Sequence, residues 1–225
     1  MKLSIVVPAY NEEKNVQPLY QEIKQALTSL NGDYEVVFVN DGSADTTLSV
    51  LNGLKATDPK VRVVDLKKNE GQSFATMEGF KAASGDLIVL LDADRQNDPT
   101  DIPKMIQMMG AQYEGICGWR KNRKDKRIFV ISSKVANFII RGMFGLRVHD
   151  SGCSLRVVKA QHLKSINYFK NFHRYIPIIL HLKGVKLGEM EVNHRWRSEG
   201  ESNYSIFKSI RVLKELFYLR LFYKA

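Results

Sequence analysis

Short apolar segments recur along the first half of this chain, and each of them ends in or is followed by polar residues. The segments are LSIVVPA, YEVVFVND, VRVVDL, LIVLLDAD and EGICGWR. Helical patterns separate them, such as the spacing of Val16, Leu19 and Ile23, which brings apolar side chains to one face of a helix. Apolar strands that alternate with helices are typical of a mostly parallel sheet. The pattern therefore predicts an α/β fold with a mostly parallel central sheet and helices on both faces.

Polar residues indicate where several helices begin. Asn11 or Glu12 is predicted to begin the first helix, and Asp45 can cap the second. Asp98, ahead of Pro99, is predicted to cap the helix after the fourth strand.

The second half of the chain is less regular. Residues 127–145 are rich in apolar residues with interspersed bases, and we assign no regular element to them. Residues 149–158 predict a turn that leads into a short strand or helix. Residues 173–184 predict a helix, residues 185–196 a strand, and residues 206–225 a final helix.

Polar side chains cluster at the predicted strand ends. In open parallel sheets, ligands bind at the carboxyl ends of the strands, so these residues are predicted to converge on one site. The residues at these strand ends are Pro8, Tyr10, Asn11, Glu12, Asn40, Asp41, Gly42, Ser43, Asp92, Asp94, Gln96, Trp119 and Arg120.

Asp92 and Asp94 are one residue apart at the end of a buried strand. Their carboxylates repel each other unless a cation lies between them. Mg²⁺ prefers one or two carboxylates together with the phosphates of a substrate. Gln96 adds a neutral oxygen two residues on, so the segment predicts a divalent metal site that also binds a diphosphate.

Charge is divided unevenly along the chain. Residues 1–112 carry 11 Lys and Arg against 16 Asp and Glu, whereas residues 113–225 carry 23 against 8. This excess indicates an anionic partner such as a phosphate or an anionic membrane surface, although solvated surface lysines account for part of it. We expect no nucleic-acid partner, because the acidic strand ends would repel one.

The two cysteines, Cys117 and Cys153, have no metal-type spacing and predict reduced, buried thiols.

We find no signal-peptide pattern and no uninterrupted apolar run of transmembrane length. We therefore expect a cytoplasmic protein, peripheral on the inner face of the membrane. The helix predicted at residues 206–225 interleaves bases with apolar residues. It either packs on its own domain or lies on an anionic bilayer.

Three stretches carry a resemblance to a known family. They are IVVPAYNEE, VVFVNDGSADTT and NEGQSFATMEGFKAASGDLIVLLDADRQNDP. Together they resemble the family 2 glycosyltransferases, and within these the branch of dolichyl-phosphate mannose synthase and the polyprenyl-phosphate glycosyltransferases. The resemblance implies one GT-A domain, inversion at the anomeric carbon, and Mg²⁺ or Mn²⁺ as cofactor. Within that domain we predict a nucleotide-sugar-binding half (1–120), an acceptor-binding half (121–205) and a C-terminal basic amphipathic helix (206–225).

The resemblance also implies roles for residues at the donor site. Pro8, Tyr10 and Glu12 match the family's nucleoside-binding segment, and Asp41 matches the acid that holds the base or ribose. Asp92 matches the first acid of the D-x-D motif, near the sugar and ribose.

Further positions match the metal, the diphosphate and the acceptor. Asp94 and Gln96 match the metal-binding pair, and Arg120 matches an arginine of the acceptor-phosphate site. The segment HRWRSEGESNYS resembles the branch's closing loop. There, Arg197 would contact the donor diphosphate with Ser202 beside it.

The acceptor site departs from the pattern of the branch. A basic pair usually precedes a serine such as Ser133 by one helical turn, but Phe129 and Val130 occupy those places. Arg127 is the nearest arginine, so Arg127 and Ser133 are candidates for the acceptor phosphate. His173 and Arg174 are further candidates, with a plain helix N-terminus as the alternative. Residues 149–152 predict a turn that shapes the sugar pocket, with a purely structural turn as the alternative.

These features favour an inverting, metal-dependent transferase that moves a hexose from a nucleotide sugar to dolichyl or undecaprenyl phosphate. GDP-mannose is the first choice of donor, with UDP-linked glucose or N-acetylhexosamine next. A hydroxyl acceptor is the alternative, and it would need a general base such as Glu189, Glu191, Glu199 or Glu201. A non-enzymatic module that binds RNA or a membrane would leave Asp41, Asp92 and Asp94 without a role.

Overall fold

A computed structural model describes residues 1–30, 32–110, 112–122, 127–196 and 215–221. Its strands form one seven-stranded sheet in the order β3-β2-β1-β4-β6-β5-β7. The strands are β1 (Lys2–Ala9), β2 (Asp33–Asp41), β3 (Val61–Leu66), β4 (Leu87–Leu90), β5 (Gly115–Trp119), β6 (Arg156–Lys159) and β7 (Leu187–Glu191). Neighbouring strands are parallel except where β6 pairs with β4 and β5. The predicted mostly parallel sheet is confirmed.

Helices cover both faces of this sheet. They are α1 (Val16–Leu27), α2 (Thr47–Thr57), α3 (Gln72–Ala82), α4 (Ile102–Met109), α5 (Arg127–Phe144), α6 (Ala160–Lys164) and α7 (Ile176–Leu182). Helices α1, α2 and α4 contribute Leu19, Leu51 and Met105 to the core on one face. Helices α3 and α7 contribute Phe80 and Ile179 to the core on the other, together with α5 and α6. The predicted coverage of both faces is also confirmed.

The first helix begins later than predicted. The chain at Asn11 is left-handed, with φ of 54°, and Val16 is the first residue of α1. Between them, the Glu12 carbonyl accepts hydrogen bonds from the amides of Asn15 and Val16 in a turn. The predicted start at Asn11 or Glu12 is wrong, because these residues bind Ser43 in the loop after β2 and Thr47 at the start of α2 instead of extending the helix.

Two other predicted caps agree with the structure. Asp45 Oδ1 accepts a hydrogen bond from the amide of Thr47 at the start of α2. Asp98 caps the 3₁₀ helix Pro99–Asp101, which leads into α4, by accepting from the amide of Thr100. Each carboxylate thus binds an amide that has no partner within its helix.

The second half adds β6 and β7 to the sheet, and α5 is a helix that we did not assign from the sequence. Residues 215–221 are also helical. Leu216 and Leu219 of this segment are buried, whereas Phe217 and Leu221 are exposed. Glu215 accepts hydrogen bonds from Asn171 and Tyr175. One face of the described segment therefore packs on the domain, while the rest of the helix predicted at 206–225 lies outside the described residues. Among the helices that are described, none combines the length and hydropathy that crossing a membrane requires.

Glu35 is a buried carboxylate at the amino-terminal edge of the sheet, opposite Ser4 of β1. Its Oε1 accepts from the Ser4 hydroxyl at 2.6 Å and from the amide and hydroxyl of Ser84 at 2.6 and 2.7 Å. Its Oε2 accepts from Arg62 at 3.2 Å. Burial alone would raise the pKa of Glu35, but these hydrogen bonds outweigh it and lower the pKa to about 2.

We expect Glu35→Gln to lower the free energy of unfolding by about 2 kcal/mol at pH 7. Because the folded pKa lies below the ordinary value of 4.5, the charged form stabilises the protein above that value. This stability is lost as the pH falls from 4.5 towards 2. Urea unfolding between pH 7 and pH 3 measures it, and the wild type should lose more stability than the variant. Glu78→Gln, which breaks the pair with Lys81 within α3, should change stability by less than about 0.5 kcal/mol. Parallel pH curves for Glu35→Gln and the wild type would contradict the prediction.

Candidate active site

Strand register brings three carboxylates to the carboxyl edge of the sheet. Ala9 of β1 pairs with Asn40 of β2, and Asp41 is the last residue of β2. Leu90 ends β4 beside β1, and Asp92 and Asp94 follow it. The sheet thus gathers side chains that are far apart in the sequence.

The loop from β3 to α3 links Asp41 to Asp92. Asp41 accepts hydrogen bonds from the amides of Glu70 at 2.8 Å and Gly71 at 3.0 Å. Gln72, the first residue of α3, donates from Nε2 to Asp92 Oδ1 at 2.9 Å. Burial raises the pKa of Asp41, although these amides oppose the effect.

Gly42 explains why the loop can lie so close to Asp41. Its φ of 63° is left-handed, and a Cβ at this position would lie 2.3 Å from the Lys68 carbonyl carbon and 2.4 Å from the Asn69 nitrogen. Any larger residue would push residues 68–71 away from the Asp41 carboxylate.

The loops after β1 and β2 are joined by hydrogen bonds. The Asn11 amide donates to Ser43 Oγ at 3.0 Å, and the Glu12 amide donates to Thr47 Oγ1 at 2.8 Å. Pro8 is buried within β1, whereas Tyr10 is 46% exposed beside these loops. These hydrogen bonds hold the segment beside the end of β2, with an exposed aromatic ring.

The carboxylate of Asp94 disfavours the charged form of Asp92. Burial and then repulsion from Asp94 raise the pKa of Asp92 well above its ordinary value, and Arg120 and Arg156 only partly oppose this. Asp94 is 7% exposed, and its Oδ1 accepts from the Gln96 amide at 3.1 Å. A cation at this position would relieve the repulsion.

The donor set suits a hard divalent ion. The carboxylates of Asp92 and Asp94 and the side-chain oxygen of Gln96 are the oxygen ligands that Mg²⁺ or Mn²⁺ takes. Within the described ranges, no group of three or more His, Cys, Asp or Glu side chains could hold a metal. Mg²⁺ commonly completes its coordination with water and substrate phosphates.

Arg120 directly follows β5, and its charge acts on Asp92. Its Nε and Nη2 donate to the two oxygens of Asp150 at 2.8 and 3.0 Å, a bidentate pair that is largely buried. Glu189 of β7 in turn accepts from the amides of His149 and Asp150. Strand β7 therefore holds the turn that orients Arg120.

A comparison with protein-family models assigns residues 4–166 to the family described as glycosyl transferase family 2. This match covers more than half of the chain, including the carboxyl ends of β1, β2, β4 and β5. The chain belongs to glycosyl transferase family 2.

Curated relatives of this glycosyltransferase match almost the whole chain. It is 38% identical over 235 residues to a dodecaprenyl-phosphate galacturonate synthase of Rhizobium johnstonii, covering 100% of this chain and 69% of the relative. It is 33% identical over 216 residues to an undecaprenyl-phosphate 4-deoxy-4-formamido-L-arabinose transferase of Sodalis glossinidius, covering 96% and 66%. The chain therefore spans about two thirds of the length of these relatives.

A solved structure has the same fold. Glucosyl-3-phosphoglycerate synthase from Mycobacterium tuberculosis, solved with Mn²⁺, UDP and glucosyl-3-phosphoglycerate, aligns with a TM-score of 0.72. The alignment covers 100% of this chain and 81% of that one, at 18% sequence identity. The predicted GT-A fold is confirmed.

Three of the predicted acceptor residues are described in the second half of the glycosyltransferase. They are Ser133, His173 and Arg174. Ser133 Oγ accepts from Asn137 within α5 at 3.5 Å. His173 shares a hydrogen bond of 2.6 Å with Ser73 of α3, and burial, followed by the charges of Arg174 and Arg156, lowers its pKa to about 3. The ring is therefore neutral at physiological pH. The guanidinium of Arg174 makes no hydrogen bond or ion pair with the described part of the chain.

Three predicted site residues cannot be placed. Arg127 begins α5, but its side chain lies outside the described residues, as do Arg197 and Ser202 entirely. Their roles remain predictions, as do those of the other site residues.

Sequence reasoning did not single out Gln72 or Arg156, and it considered Glu189 only as a general base for a hydroxyl acceptor. Gln72 lies in the motif NEGQSF, but its contact with Asp92 depends on the fold. Arg156 is 2% exposed in β6 and donates from Nη2 to the Cys153 carbonyl. Its Nε and Nη1 have no hydrogen-bond partner among the described residues. In the sequence, the only indication of a role for Arg156 was its position as a single arginine directly before VVK. The predicted burial of Cys117 and Cys153 is confirmed, and it raises their pKa to about 12 and 11.

Proposed function

We propose that this glycosyltransferase moves a sugar, with inversion, from a nucleotide-diphospho-sugar to a polyprenyl phosphate. The observation that carries the proposal is the crowded pair of Asp92 and Asp94 at the carboxyl edge, beside the Arg120–Asp150 pair. Carboxylates that need a cation suit a metal-bound diphosphate donor. A neighbouring arginine suits a second phosphate.

Asp94 and Gln96 would hold Mg²⁺ or Mn²⁺. When bound, the ion would stabilise the charge that develops on the leaving diphosphate. Asp92, fixed by Gln72, would orient the sugar or ribose. Asp41 with Pro8, Tyr10 and Glu12 would bind the nucleoside.

The proposed reaction moves no proton at the acceptor. An oxygen of the acceptor phosphate forms a bond to the anomeric carbon. The bond from that carbon to the donor diphosphate breaks, and its electron pair leaves with the diphosphate. The acceptor phosphate is already anionic near neutral pH, so it needs positive charge to bind it and no general base.

The contacts of two glutamates support a phosphate acceptor over a hydroxyl acceptor. Glu189 accepts from two backbone amides and shares a hydrogen bond of 2.7 Å with His149 Nδ1. Both oxygens of this carboxylate therefore make hydrogen bonds that stabilise the turn. Glu191 is paired with Lys121 on the surface at 3.2 Å. The other two candidate bases, Glu199 and Glu201, lie outside the described residues.

The names of the relatives support the same acceptor class but different sugars. One is named for dodecaprenyl phosphate and galacturonate, and the other for undecaprenyl phosphate and a formamido-arabinose. The Mycobacterium enzyme was solved with Mn²⁺ and UDP. That complex supports a divalent metal ion as the cofactor we propose. Mannose from GDP-mannose, our first choice from resemblance, therefore has to be tested beside UDP-linked hexoses and uronates.

Transfer assays test the proposal directly. The full chain is incubated with Mg²⁺ or Mn²⁺, labelled GDP-mannose and a panel of labelled UDP-sugars, and undecaprenyl phosphate in detergent. We expect label in the lipid fraction with at least one donor, and loss of transfer when EDTA removes the metal. Undecaprenol, which has a hydroxyl in place of the phosphate, is the matched control and should accept no sugar.

Two outcomes would contradict the proposal. Equal transfer to undecaprenol would favour the hydroxyl acceptor, and the absence of lipid label with every donor would reject the polyprenyl acceptor.

Anionic vesicles in place of detergent extend the assay to the proposed peripheral location at a membrane. If that location is correct, vesicles with anionic lipid should increase the rate more than neutral ones, and added salt should reduce the difference.

A further inference from the structure

Four charged side chains form a cluster beside the metal-binding turn, residues 94–98. Glu22 of α1 accepts from Arg95 at 2.5 Å through Oε1 and from Arg195 at 2.7 Å through Oε2. Arg195 also contacts Asp98 Oδ1 at 2.7 Å. The cluster therefore alternates in charge, in the order Arg95, Glu22, Arg195, Asp98, and joins α1 to the turn and to the segment after β7.

Backbone contacts tie the same segments together. The Arg195 amide donates to the Gln96 carbonyl at 2.8 Å, and Asn97 pairs with His194 in an isolated antiparallel bridge. The Asn193 amide donates to Asp101 at 2.7 Å. The turn is thus held by a segment that lies about 100 residues later in the chain.

The turn needs this support because its backbone is strained. Arg95, between Asp94 and Gln96, has φ of 60° without being glycine. A left-handed conformation costs a residue with a Cβ on the order of 1 kcal/mol and persists only where surrounding contacts fix it. This conformation sets the directions of Asp94 and Gln96 relative to each other. The Arg95 side chain, in turn, is fixed by Glu22.

We propose that Glu22 is a positioning residue for metal binding, acting through Arg95 and Arg195 to hold Asp94 and Gln96 in the geometry that a divalent cation requires. This inference rests on the proposed function, because it assumes that Asp94 and Gln96 are the ligands. Glu22 itself touches neither the cation nor the substrate. Groups that orient metal ligands commonly change metal affinity by about 10-fold or more when they are removed.

Mn²⁺ binding to the full chain tests the inference without relying on turnover. Free Mn²⁺ is followed by electron paramagnetic resonance in titrations with UDP or GDP present, at a temperature where circular dichroism shows each variant folded. We expect Glu22→Gln to bind Mn²⁺ about 10-fold more weakly than the wild type. Arg195→Gln should act in the same direction. The double variant should lose less than the sum of the two effects, because both remove the same contact.

Lys24→Gln is the matched control on the same helix. Lys24 pairs with Asp58 at 3.1 Å, away from the turn, so this variant breaks an ion pair of α1 and should bind Mn²⁺ as the wild type does. Wild-type affinity in folded Glu22→Gln would overturn the inference and leave the proposed metal site intact. A wild-type protein that binds no Mn²⁺ with either nucleotide would reject the metal site itself, and the inference with it.

Discussion

Asp94→Asn is expected to lower kcat for sugar transfer by about 100- to 1000-fold while the protein remains folded. Asparagine keeps the shape of the side chain and the oxygen that accepts from the Gln96 amide. It removes the charge that we propose binds the metal. It also removes the repulsion that raises the pKa of Asp92. Stability should therefore be unchanged or rise by up to about 1 kcal/mol.

The two opposite effects distinguish a functional carboxylate from a structural one. Transfer rates and thermal unfolding are measured on the same preparations, with Asp86→Asn as control. Asp86 is exposed at the opposite edge of the sheet, where it accepts from the Lys2 amide at 2.8 Å, so its variant should keep wild-type activity. Normal turnover in Asp94→Asn would reject the metal role, and unfolding of this variant would show that Asp94 is structural.

Asp150→Asn should destabilise the protein by about 3 kcal/mol and also reduce transfer. Asp150 is 4% exposed and binds the Arg120 guanidinium through both oxygens. The variant leaves a largely buried cation without its counter-charge, and it replaces one accepting oxygen with a donor that faces another donor. Arg120 would then lose its fixed direction towards the proposed acceptor phosphate.

Urea unfolding and the KM for undecaprenyl phosphate measure the two effects separately. Lys121→Gln changes the next residue, whose pair with Glu191 is exposed, and should cost less than about 0.5 kcal/mol. A destabilised Asp150→Asn with a wild-type KM would show that the pair supports the fold without contributing to acceptor binding. Wild-type stability would contradict the energetic argument for the pair.

Local pattern was sufficient to predict the first half of the fold. The strands through β5 and the helices between them are continuous apolar or amphipathic segments, so each shows its period within about ten residues. Helix α5 gave no such signal, because Ile131, Val135 and Phe138 are exposed on it. Because apolar residues and bases both lie on its solvent side, the apolar residues of this helix do not repeat with the usual helical period. The start of α1 was misplaced because Asn11 and Glu12 bind Ser43 and Thr47, which lie more than 30 residues away along the chain.

The candidate site divides in the same way. Asp41, Asp92 and Asp94 could be identified because each follows an apolar strand, and parallel strands bring their carboxyl ends to one edge. The partners of these residues could not be identified. Gln72 reaches Asp92 only because α3 packs on the sheet with its first residue near the carboxyl edge. Arg156 lies beside Asp92 only because β6 runs antiparallel between β4 and β5.

The sequence by itself determined the class of fold and the acidic edge, because both follow from short-range periodicity and from the direction of the strands. Only the tertiary structure decided how those acids are held. Glu22 and Arg195 are 173 residues apart along the chain, and Arg120 and Asp150 are 30 apart. Ion pairs of this kind depend on which surfaces pack together, and no local pattern of residues specifies that.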